Sequence, residues 1–513
     1  MTLLAVLYSI AGVWLALYGL NALVLALLYL RARPTSFLRE ESSVPRLPSD
    51  PPPVTIQLPI YNERHVVVRL IDAVAALDYP RDRLQVQVLD DSDDETTALA
   101  ARRIAYHQSR GVRIELVRRP DRSGYKAGAL AYGLTRAWGE FIAVFDADFV
   151  PPPDFLKRTL PYFLQDPRLG MVQARWDHLN AEYSPLTRAQ ALALDGHFIV
   201  EQTARNRHGL LMNFNGTAGV WRRRCIEESG GWQTDTLSED LDLSYRAQLA
   251  GWRCLYLPWV AVPAELPPQL AALKRQQFRW AKGSIQCLLK LTPSLLTSRL
   301  TLSQKIGAML HLSSYLAHPL MLLLLLTALP LFRYAGEVRL PMAMAYLGFA
   351  SLGPPLVYAL AQVALHRDWP RRLAYFPLLA LLGTGIALNN TQAALQALLR
   401  RPSGFARTPK FRLEGGQGRW ERSDYRLSVD WTVVGEVLLS LYALLTMAVA
   451  WRSGNGYALP FLALYAVGFG LTAWLGVWQG WVVPARSRRR FPTVPSLTYG
   501  CPPGQDHQEL SGR

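Results

Sequence analysis

Two pairs of aspartates follow apolar runs that have the composition of buried strands. Asp146 and Asp148 follow EFIAVF, and Asp90 and Asp91 follow LQVQVL. Two carboxylates one residue apart at a strand end can hold a hard divalent cation, which in turn bridges phosphate oxygens. Such triplets also cap helices, so the spacing alone leaves both interpretations open for Asp146 and Asp148.

The pair Asp90 and Asp91 has neighbours that can take over the capping role. Asp93 and Asp94 precede a helical pattern that begins near Glu95, and either side chain can accept hydrogen bonds from the first turn. Asp90 and Asp91 are then available for a ligand. In a sheet of parallel strands they would lie beside the other aspartate pair.

A third acidic group is Ser238-Glu239-Asp240, which precedes the amphipathic pattern LDLSYRAQLAGW. General-base chemistry needs a carboxylate that takes a proton from an attacking hydroxyl, and two adjacent acids near a cation site supply one. Ser238 and Asp240 also suit the start of a helix. The spacing favours neither capping nor catalysis.

Gln276, Arg279 and Trp280 lie on one turn of a predicted helix. Arginine can neutralise a departing diphosphate, and tryptophan offers a flat apolar face on which a sugar ring can stack. The alternative is an interfacial helix with a snorkelling arginine and an interfacial tryptophan. Arg407 and Lys410, in a later basic segment, suit either phosphate or lipid headgroups.

The elements that would position these residues lie between residues 54 and 262. The stretches VTIQL, LQVQVLD, RIELV and EFIAVFDA have the pattern of buried strands. Between them lie HVVVRLIDAVAAL, DETTALAARRIAYHQ and KAGALAYGLTRAW, each with helical spacing. Alternating strands and helices predict an open parallel sheet with helices on both faces, whose ligands bind at the carboxyl ends of the strands.

The composition indicates a membrane protein with a soluble insert. Half of the 513 residues are hydrophobic and only 18% are charged, and the apolar residues concentrate in 1–30 and after 305. The run 3–30 is long enough to cross a bilayer, and the arginines that follow it place residue 31 onward in the cytosol. A cleaved signal peptide would instead have its positive charges before the apolar run.

The net charge of +16 and the four cysteines narrow the classes of function. Lysines and arginines at the cytoplasmic ends of membrane helices explain the charge better than nucleic acid does, because no basic stripe interleaved with aromatic residues stands out. The cysteines are scattered, which argues against a disulfide framework or a zinc site.

Apolar runs at about 306–332, 341–365, 373–390, 431–451 and 457–482 predict membrane helices after the soluble region. The segments 366–372 and 399–412 are both strongly basic, so both should be cytosolic. A helix that crossed the bilayer between them would put one of them outside. We therefore predict that 373–398 is re-entrant or interfacial, broken near Gly383 and Gly385, which leaves about five true crossings.

Taken in order, the motifs resemble the processive membrane glycosyltransferases with a GT-A fold, the family of cellulose synthase, hyaluronan synthase and the plant cellulose-synthase-like group A mannan synthases. The resemblance covers roughly residues 50–415. It is carried by QLPIYNE (57–63), QVLDDSDD (87–94), KAGAL (126–130), DADF (146–149), FNGTAGVWR (214–222), SEDLDLSYRAQLAGW (238–252) and QQFRW (276–280).

The resemblance implies a role for each motif. The expected donor-binding residues are Tyr61, Glu63, Asp90, Asp91, Lys126, Asp146, Arg279, Thr408 and Lys410, and the expected Mg²⁺ or Mn²⁺ ligands are Asp148 and Asp146. The expected catalytic residues are Asp240, as the general base, and Glu239. The expected acceptor-binding residues are Asn215, Gly216, Thr217, Gln276 and Trp280. FARTPK (405–410) resembles the family's gating loop, with Arg407 where valine is usual.

The implied architecture is an α/β GT-A (Rossmann-like) cytosolic glycosyltransferase domain combined with an α-helical transmembrane domain. We divide the chain into a transmembrane helix (1–33), a linker (34–53), the GT-A domain (54–262), interfacial helices (263–304), transmembrane helices with the re-entrant segment (305–398), a gating-type loop (399–428), two transmembrane helices (429–484) and a cytosolic tail (485–513).

The resemblance implies an inverting transferase of the plasma membrane that builds a β-linked glycan from GDP-mannose or UDP-glucose and moves it across the membrane. Its partners would be the nucleotide-sugar donor, a glycan acceptor and membrane lipids, without nucleic acid. Two alternatives stay open. One is a single transfer onto a lipid, as in ceramide glucosyltransferase, and the other is a non-catalytic sensor or transporter of nucleotide-sugars.

Overall fold

The computed structural model of the chain describes residues 2–32, 46–334, 347–402 and 404–482. Most of the predicted linker, the start of the apolar run 341–365, and the predicted tail with Cys501 lie outside the described residues.

A seven-stranded sheet forms the centre of the soluble region, in the order β3-β2-β1-β4-β6-β5-β7. The strands are β1 Val54–Ile60, β2 Leu84–Asp90, β3 Ile114–Val117, β4 Phe141–Val144, β5 Leu169–His178, β6 Gly219–Arg222 and β7 Arg253–Ala264. Apolar residues on both faces of β1, β2 and β4 are buried, because helices cover the sheet on both sides.

α1, Thr2–Ala32, precedes the soluble region. The helices of the soluble region are α2 Val67–Ala75, α3 Thr96–Gln108, α4 Tyr125–Leu134, α5 Phe155–Gln165, α6 Pro185–Asp195, α7 Gln202–Arg207, α8 Arg223–Glu228 and α9 Glu239–Leu249. A π-helix, Gly196–Glu201, joins α6 to α7 without a break. Ser184 caps α6 by accepting a hydrogen bond from the Thr187 backbone N–H.

The predicted parallel sheet is confirmed for the four strands that the sequence indicated, but the complete sheet is mixed. β3, β2, β1 and β4 pair in parallel, as do β5 and β7, but β6 runs antiparallel to both of its neighbours. Because β6 is reversed, it begins at the edge where the parallel strands end. The segment 214–218, which precedes β6, therefore lies at that edge.

The later helices are α10 Leu270–Thr297, α11 Leu302–Leu312, α12 Ala317–Arg333, α13 Gly353–Leu365, α14 Trp369–Leu373, α15 Phe376–Gly385, α16 Ala387–Leu398, α17 Thr432–Arg452 and α18 Leu459–Val477. In the described part of the chain, five helical segments are long and apolar enough to span a membrane: 2–32, 314–333, 348–365, 432–452 and 456–481.

The segment predicted to be re-entrant is bent. Residues 369–385 and 387–398 form two helical stretches that meet at an angle of 44°. The break falls at Ile386, directly after Gly385, and α16 packs along α10 rather than continuing the direction of α15. A broken span and a re-entrant loop both have this shape, so the membrane path of the segment stays a prediction.

α10 connects the soluble region to the candidate membrane helices. The Lys274 ammonium on α10 is buried in an ion pair with Glu436 of α17, and the Lys274 carbonyl accepts a hydrogen bond of 3.0 Å from Asn389 of α16. One turn later, α10 presents the residues of the QxxRW motif to the soluble region.

Candidate active site

One cavity lies at the edge of the sheet where the parallel strands end. The segments that follow β1, β2, β4 and β7 line it, together with the end of β5, the segment before β6, the start of α9 and one face of α10. Segment 405–410 covers it from the side of the membrane helices. Sequence motifs more than 300 residues apart therefore meet around one space.

Lysine ammonium groups are paired with the two aspartates after β4. Lys126 Nζ lies 2.6 Å from Asp146 Oδ1, and Lys410 Nζ lies 2.6 Å from Asp148 Oδ2. The carboxylates of Asp146 and Glu239 raise the pKa of Lys126, although burial acts in the opposite direction. Each aspartate thus already carries a positive group at a carboxylate oxygen.

Glu239 and Asp240 begin α9 at the floor of the cavity. Burial, followed by repulsion from Glu239, raises the pKa of Asp240 to about 7. Asp240 Oδ1 accepts a hydrogen bond of 2.8 Å from the Leu241 backbone N–H. Ser238 makes no side-chain capping bond, so the capping interpretation of Ser238 is wrong. A carboxylate whose pKa lies near 7 in this position is suited to accept a proton.

The end of the cavity formed after β1 and β2 is rich in arginines. The Arg122 guanidinium lies over the Tyr61 ring, 3.4 Å from its centroid. Arg119 holds Asp91 with two hydrogen bonds of 2.7 and 2.6 Å. A planar aromatic ring with a fixed carboxylate beside it is suited to a nucleoside.

Arg407, the residue that departs from the gating-loop pattern, pairs with Glu63 at 2.8 Å. Burial raises the pKa of Glu63 to about 8, and the positive charge of Arg407 opposes that shift. The Arg407 guanidinium also lies 4.5 Å from the centre of the Tyr425 ring. Arg407 therefore ties the loop to the segment after β1.

The loop is held at two further points. Arg279 donates a hydrogen bond of 3.0 Å to Thr408 Oγ1. The buried carboxylate of Glu265 accepts hydrogen bonds from the backbone N–H groups of Phe411, at 2.7 Å, and Leu413, at 3.2 Å. The loop is thus docked over the cavity through both side chains and backbone.

Aromatic and amide side chains line the remaining end of the cavity. Trp280 and Trp176 lie with their ring centroids 6.5 Å apart, and Gln276 lines the wall beside them. Asn215 and Gly216 face this end from the segment before β6. Flat apolar rings beside amide groups are suited to a sugar.

The structure brings all but two of the predicted site residues to the cavity wall. Asp90 lies outside it, because its carboxylate accepts bonds from Ser92 N, at 2.9 Å, and Thr97 Oγ1, at 2.6 Å. It therefore supports the turn after β2 rather than being available for a ligand. Thr217 lies behind the wall, where its hydroxyl accepts a bond of 2.9 Å from Asp146 N.

The cavity-lining residues that sequence reasoning missed include Glu265, Arg122, Trp176, Asp177 and His178. Glu265 and His178 had a signal in the sequence, since each ends or follows an apolar strand as the recognised aspartates do. Arg122 and Trp176 had none, because their positions depend on how the loop and β5 pack.

The balance of charge in the cavity bears on whether a metal ion fits. Among the described residues that line it, the acids outnumber the basic side chains. The acids are Glu63, Asp91, Asp146, Asp148, Asp177, Glu239, Asp240 and Glu265, and the basic residues are Arg122, Lys126, Arg279, Arg407 and Lys410. Burial raises the pKa of four of these acids, Glu63, Glu239, Asp240 and Glu265, so the excess of acidic side chains is not an equal excess of negative charge. A divalent cation beside Asp146 and Asp148 would lower the repulsion between those two carboxylates and a diphosphate.

The described residues do not gather three or more His, Cys, Asp or Glu side chains into a preformed metal site. Asp146 and Asp148 nevertheless present carboxylate oxygens, which hard divalent cations prefer, and lysine ammonium groups already occupy those oxygens. Two carboxylates with phosphate oxygens are a usual donor set for Mg²⁺. The residues therefore fit a divalent ion bound together with a diphosphate.

Comparison with known proteins gives a family for the chain. Residues 51–283 match the family described as Glycosyltransferase like family 2. The probable glucomannan 4-β-mannosyltransferase 6 of Oryza sativa subsp. japonica is 46% identical over 236 residues, which are 45% of this chain and 41% of that protein. Glucomannan 4-β-mannosyltransferase 1 of the same organism is 37% identical over 360 residues, 68% of this chain and 67% of that protein.

Several of these matches span only about half of the relative. For the probable glucomannan 4-β-mannosyltransferase 11 of Arabidopsis thaliana, the identity is 42% over 260 residues, 50% of this chain and 59% of that protein. The family match over residues 51–283 contains all seven strands of the sheet.

A solved structure agrees in fold. It is the mannosyltransferase PcManGT from Pyrobaculum calidifontis in complex with GDP-Man and Mn²⁺, with a TM-score of 0.50 and 24% identity over 77% of this chain and 100% of that chain. The chain has the GT-A glycosyltransferase fold, with a mixed sheet. With its sheet, its motifs and these relatives taken together, the chain belongs to the glucomannan 4-β-mannosyltransferase (cellulose-synthase-like A) family.

Proposed function

We propose that the chain is an inverting glycosyltransferase that transfers mannose from GDP-mannose to the growing end of a β-linked mannan or glucomannan. The observation that carries this proposal is the cavity whose wall brings Asp146, Asp148, Lys126 and Arg279 together with Asp240 and Trp280. Mannose is proposed as the sugar because the relatives are named as glucomannan 4-β-mannosyltransferases.

In the proposed reaction Asp240 takes the proton from an acceptor hydroxyl, whose oxygen then attacks the anomeric carbon of the donor. The bond from that carbon to the diphosphate oxygen breaks on the opposite face, so an α-linked donor gives a β-linked product. The raised pKa of Asp240 supports this role, since a base whose pKa lies near neutral pH accepts a proton readily.

Lys126 and Arg279 would stabilise the charge that develops on the leaving diphosphate. Asp146 and Asp148 would hold a divalent cation, Mg²⁺ or Mn²⁺, which when bound neutralises phosphate oxygens as a Lewis acid. Lys126 and Lys410 would then exchange their carboxylate partners for phosphate oxygens. Tyr61, Glu63 and Asp91 would contact the nucleoside.

The proposed setting is a multi-pass protein of the plasma membrane, with the domain boundaries given from the sequence and the GT-A domain in the cytosol. The five apolar helical segments and the two basic segments around 369–398 support this arrangement. Successive additions, with the product passing between the membrane helices, would make the enzyme a processive synthase.

The first test is nucleotide release by the purified chain in detergent, with GDP-mannose and UDP-glucose and with Mg²⁺ or Mn²⁺. Asp240→Asn should lower the rate by about 10²–10⁴-fold while GDP still binds. Asp82→Asn is the matched control, because Asp82 is exposed beside Arg83, just before β2 and thus at the opposite edge of the sheet. Chelation should abolish release, and Mn²⁺ should restore it.

The product distinguishes the alternatives. A long polymer that an endo-β-mannanase digests supports the synthase. A single sugar on a co-purified lipid would instead identify the chain as a lipid glycosyltransferase. Donor binding without turnover in any lipid or glycan mixture would favour the sensor.

A further inference from the structure

A side chain of the π-helix Gly196–Glu201 contacts a residue of the cavity wall. π-Helical turns are rare and occur frequently at functional sites. His197 Nδ1 lies 3.0 Å from Glu201 Oε2, one turn further along the same stretch. The other ring nitrogen, His197 Nε2, lies 3.0 Å from Nδ2 of Asn215, which lines the cavity.

The direction of each hydrogen bond in this group follows from Glu201. An ionised carboxylate only accepts, so His197 Nδ1–H must donate to Glu201, which leaves Nε2 as an acceptor. The Asn215 amide group can therefore donate from Nδ2 to His197. Gln202 Nε2 donates a hydrogen bond of 2.7 Å to Asn215 Oδ1. If the Asn215 amide were turned over, its NH₂ group would face the Gln202 donor and its oxygen would face the His197 acceptor.

This fixed amide is close to the proposed base. Gly216, the next residue, has φ of +83°, and a Cβ there would lie 2.9 Å from Asp240 Oδ2. Lys126 donates a hydrogen bond of 2.8 Å to the Gly216 carbonyl. Asn215 keeps one N–H and one oxygen lone pair that His197 and Gln202 do not use, and these suit a sugar hydroxyl.

The opposite side of the π-helix is anchored on the candidate membrane helices. Ile199 and Val200 are fully buried in a cluster with Leu25 of α1 and Val357 of α13. The backbone of the π-helix is thus fixed where His197 and Glu201 depart from it.

We propose that His197, Glu201 and Gln202 are positioning residues that hold the Asn215 amide in one orientation toward the acceptor sugar. This inference rests on the proposed function, since it requires a glycan acceptor at the Trp280 end of the cavity. These residues act through Asn215 and do not themselves touch the reacting atoms.

The test separates acceptor from donor kinetics in the purified full chain, with a β-1,4-linked manno-oligosaccharide as the acceptor probe. His197→Phe should raise the KM for the oligosaccharide about tenfold, the loss of roughly one hydrogen bond, and leave the KM for GDP-mannose within twofold. His197→Gln, which can still accept from Asn215 and donate to Glu201, should recover most of the loss.

Glu201→Gln is a second variant of nearly unchanged shape, for use if His197→Phe does not fold. It no longer fixes the His197 tautomer and should raise the KM for the acceptor in the same direction. The matched control is His107→Phe. His107, on α3, pairs with Asp72 at 2.8 Å and does not line the cavity.

An unchanged acceptor KM in both variants would overturn the inference. So would equal rises in the donor and acceptor KM, or a His197→Gln variant as impaired as His197→Phe, because those results indicate a merely structural role. A parent chain that transfers no sugar to the oligosaccharide would instead overturn the proposed function.

Discussion

Asp240 and Glu239 are adjacent carboxyls, the first partly buried and the second buried, and both have Lys126 as a cationic neighbour. Burial contributes most to the raised pKa of Asp240, and the charge of Glu239 adds to it. The two positions therefore differ in their expected effects. Removing Asp240 removes the base, whereas neutralising Glu239 changes the pH at which the base works.

We expect kcat/KM to fall below about pH 7, because Asp240 becomes protonated there and can no longer accept a proton. Glu239→Gln removes the repulsion that helps to raise the pKa of Asp240, so the acid limb of the profile should move to lower pH. The measurement is the pH dependence of nucleotide release for both proteins. A limb that stays in place in Glu239→Gln would show that another group sets it.

Residue types and spacing were sufficient to predict most of the site, because each strand-ending acid comes directly after a recognisable apolar run. They were insufficient for Asp90, whose partner Thr97 is the second residue of α3. The adjacent Asp91 is held by an arginine from another loop, and no spacing rule distinguishes the two.

Among the elements, the sequence predicted β1 to β4 but not β5, β6, β7 or the π-helix. Strand direction follows from the partner that a strand pairs with, and the four residues of β6 contain no information about that partner. The residues of the π-helix carry no pattern that distinguishes it from an α-helix. The direction of β6 and the π-helix both determine where Asn215 lies.

The segment after α16 is a docked element whose attachment can be tested. We expect Glu265→Ala to release it, because two backbone N–H groups then lose a carboxylate acceptor. Trypsin cleavage after Lys410 or Arg412 should accelerate by about tenfold or more, since proteolysis follows local opening. Cleavage sites and rates can be read by mass spectrometry.

The matched control for that variant is Glu414→Ala, which removes the exposed ion pair of Glu414 with Arg69 from the same segment. Exposed pairs contribute little, so cleavage should change by less than threefold. Equal acceleration in both variants would contradict the role given to Glu265.

The buried Lys274–Glu436 pair joins α10 to α17. Lys274→Met or Glu436→Leu alone should destabilise the protein by about 3–5 kcal/mol, because each leaves an unpaired buried charge. The double variant should recover most of that loss. Thermal unfolding in detergent measures the cycle, and the exposed Arg224–Glu228 pair provides a control whose coupling should be near zero. Additive single effects would show that the two charges are not coupled.

At the scale of the whole molecule, the membrane path depends on the bent segment 369–398. Its second half packs along α10, which faces the soluble region, and this favours a re-entrant path over a crossing. We therefore expect Arg371 and Arg401, at either end of the segment, to lie on the same side of the membrane.

Labelling single cysteines with an impermeant maleimide tests this, in a chain with Cys501→Ser. Arg371→Cys and Arg401→Cys should label from the same side, and Ser453→Cys, between α17 and α18, should label from the other side. All three positions are exposed, and the described native cysteines are buried or partly buried. Labelling of Arg371→Cys together with Ser453→Cys, with Arg401→Cys labelled from the opposite side, would make the bent pair a sixth span.

The paired lysines and aspartates of the cavity have a consequence for how a donor is selected. Lys126 with Asp146, and Lys410 with Asp148, cancel one another's charge, so the free enzyme attracts a distant anion only weakly. A ligand that separates these pairs must supply negative groups to the lysines and a cation to the aspartates when it binds. On the proposed function, the site would therefore bind a metal–nucleotide complex, which supplies both charges, in preference to free phosphate, which supplies only the negative one.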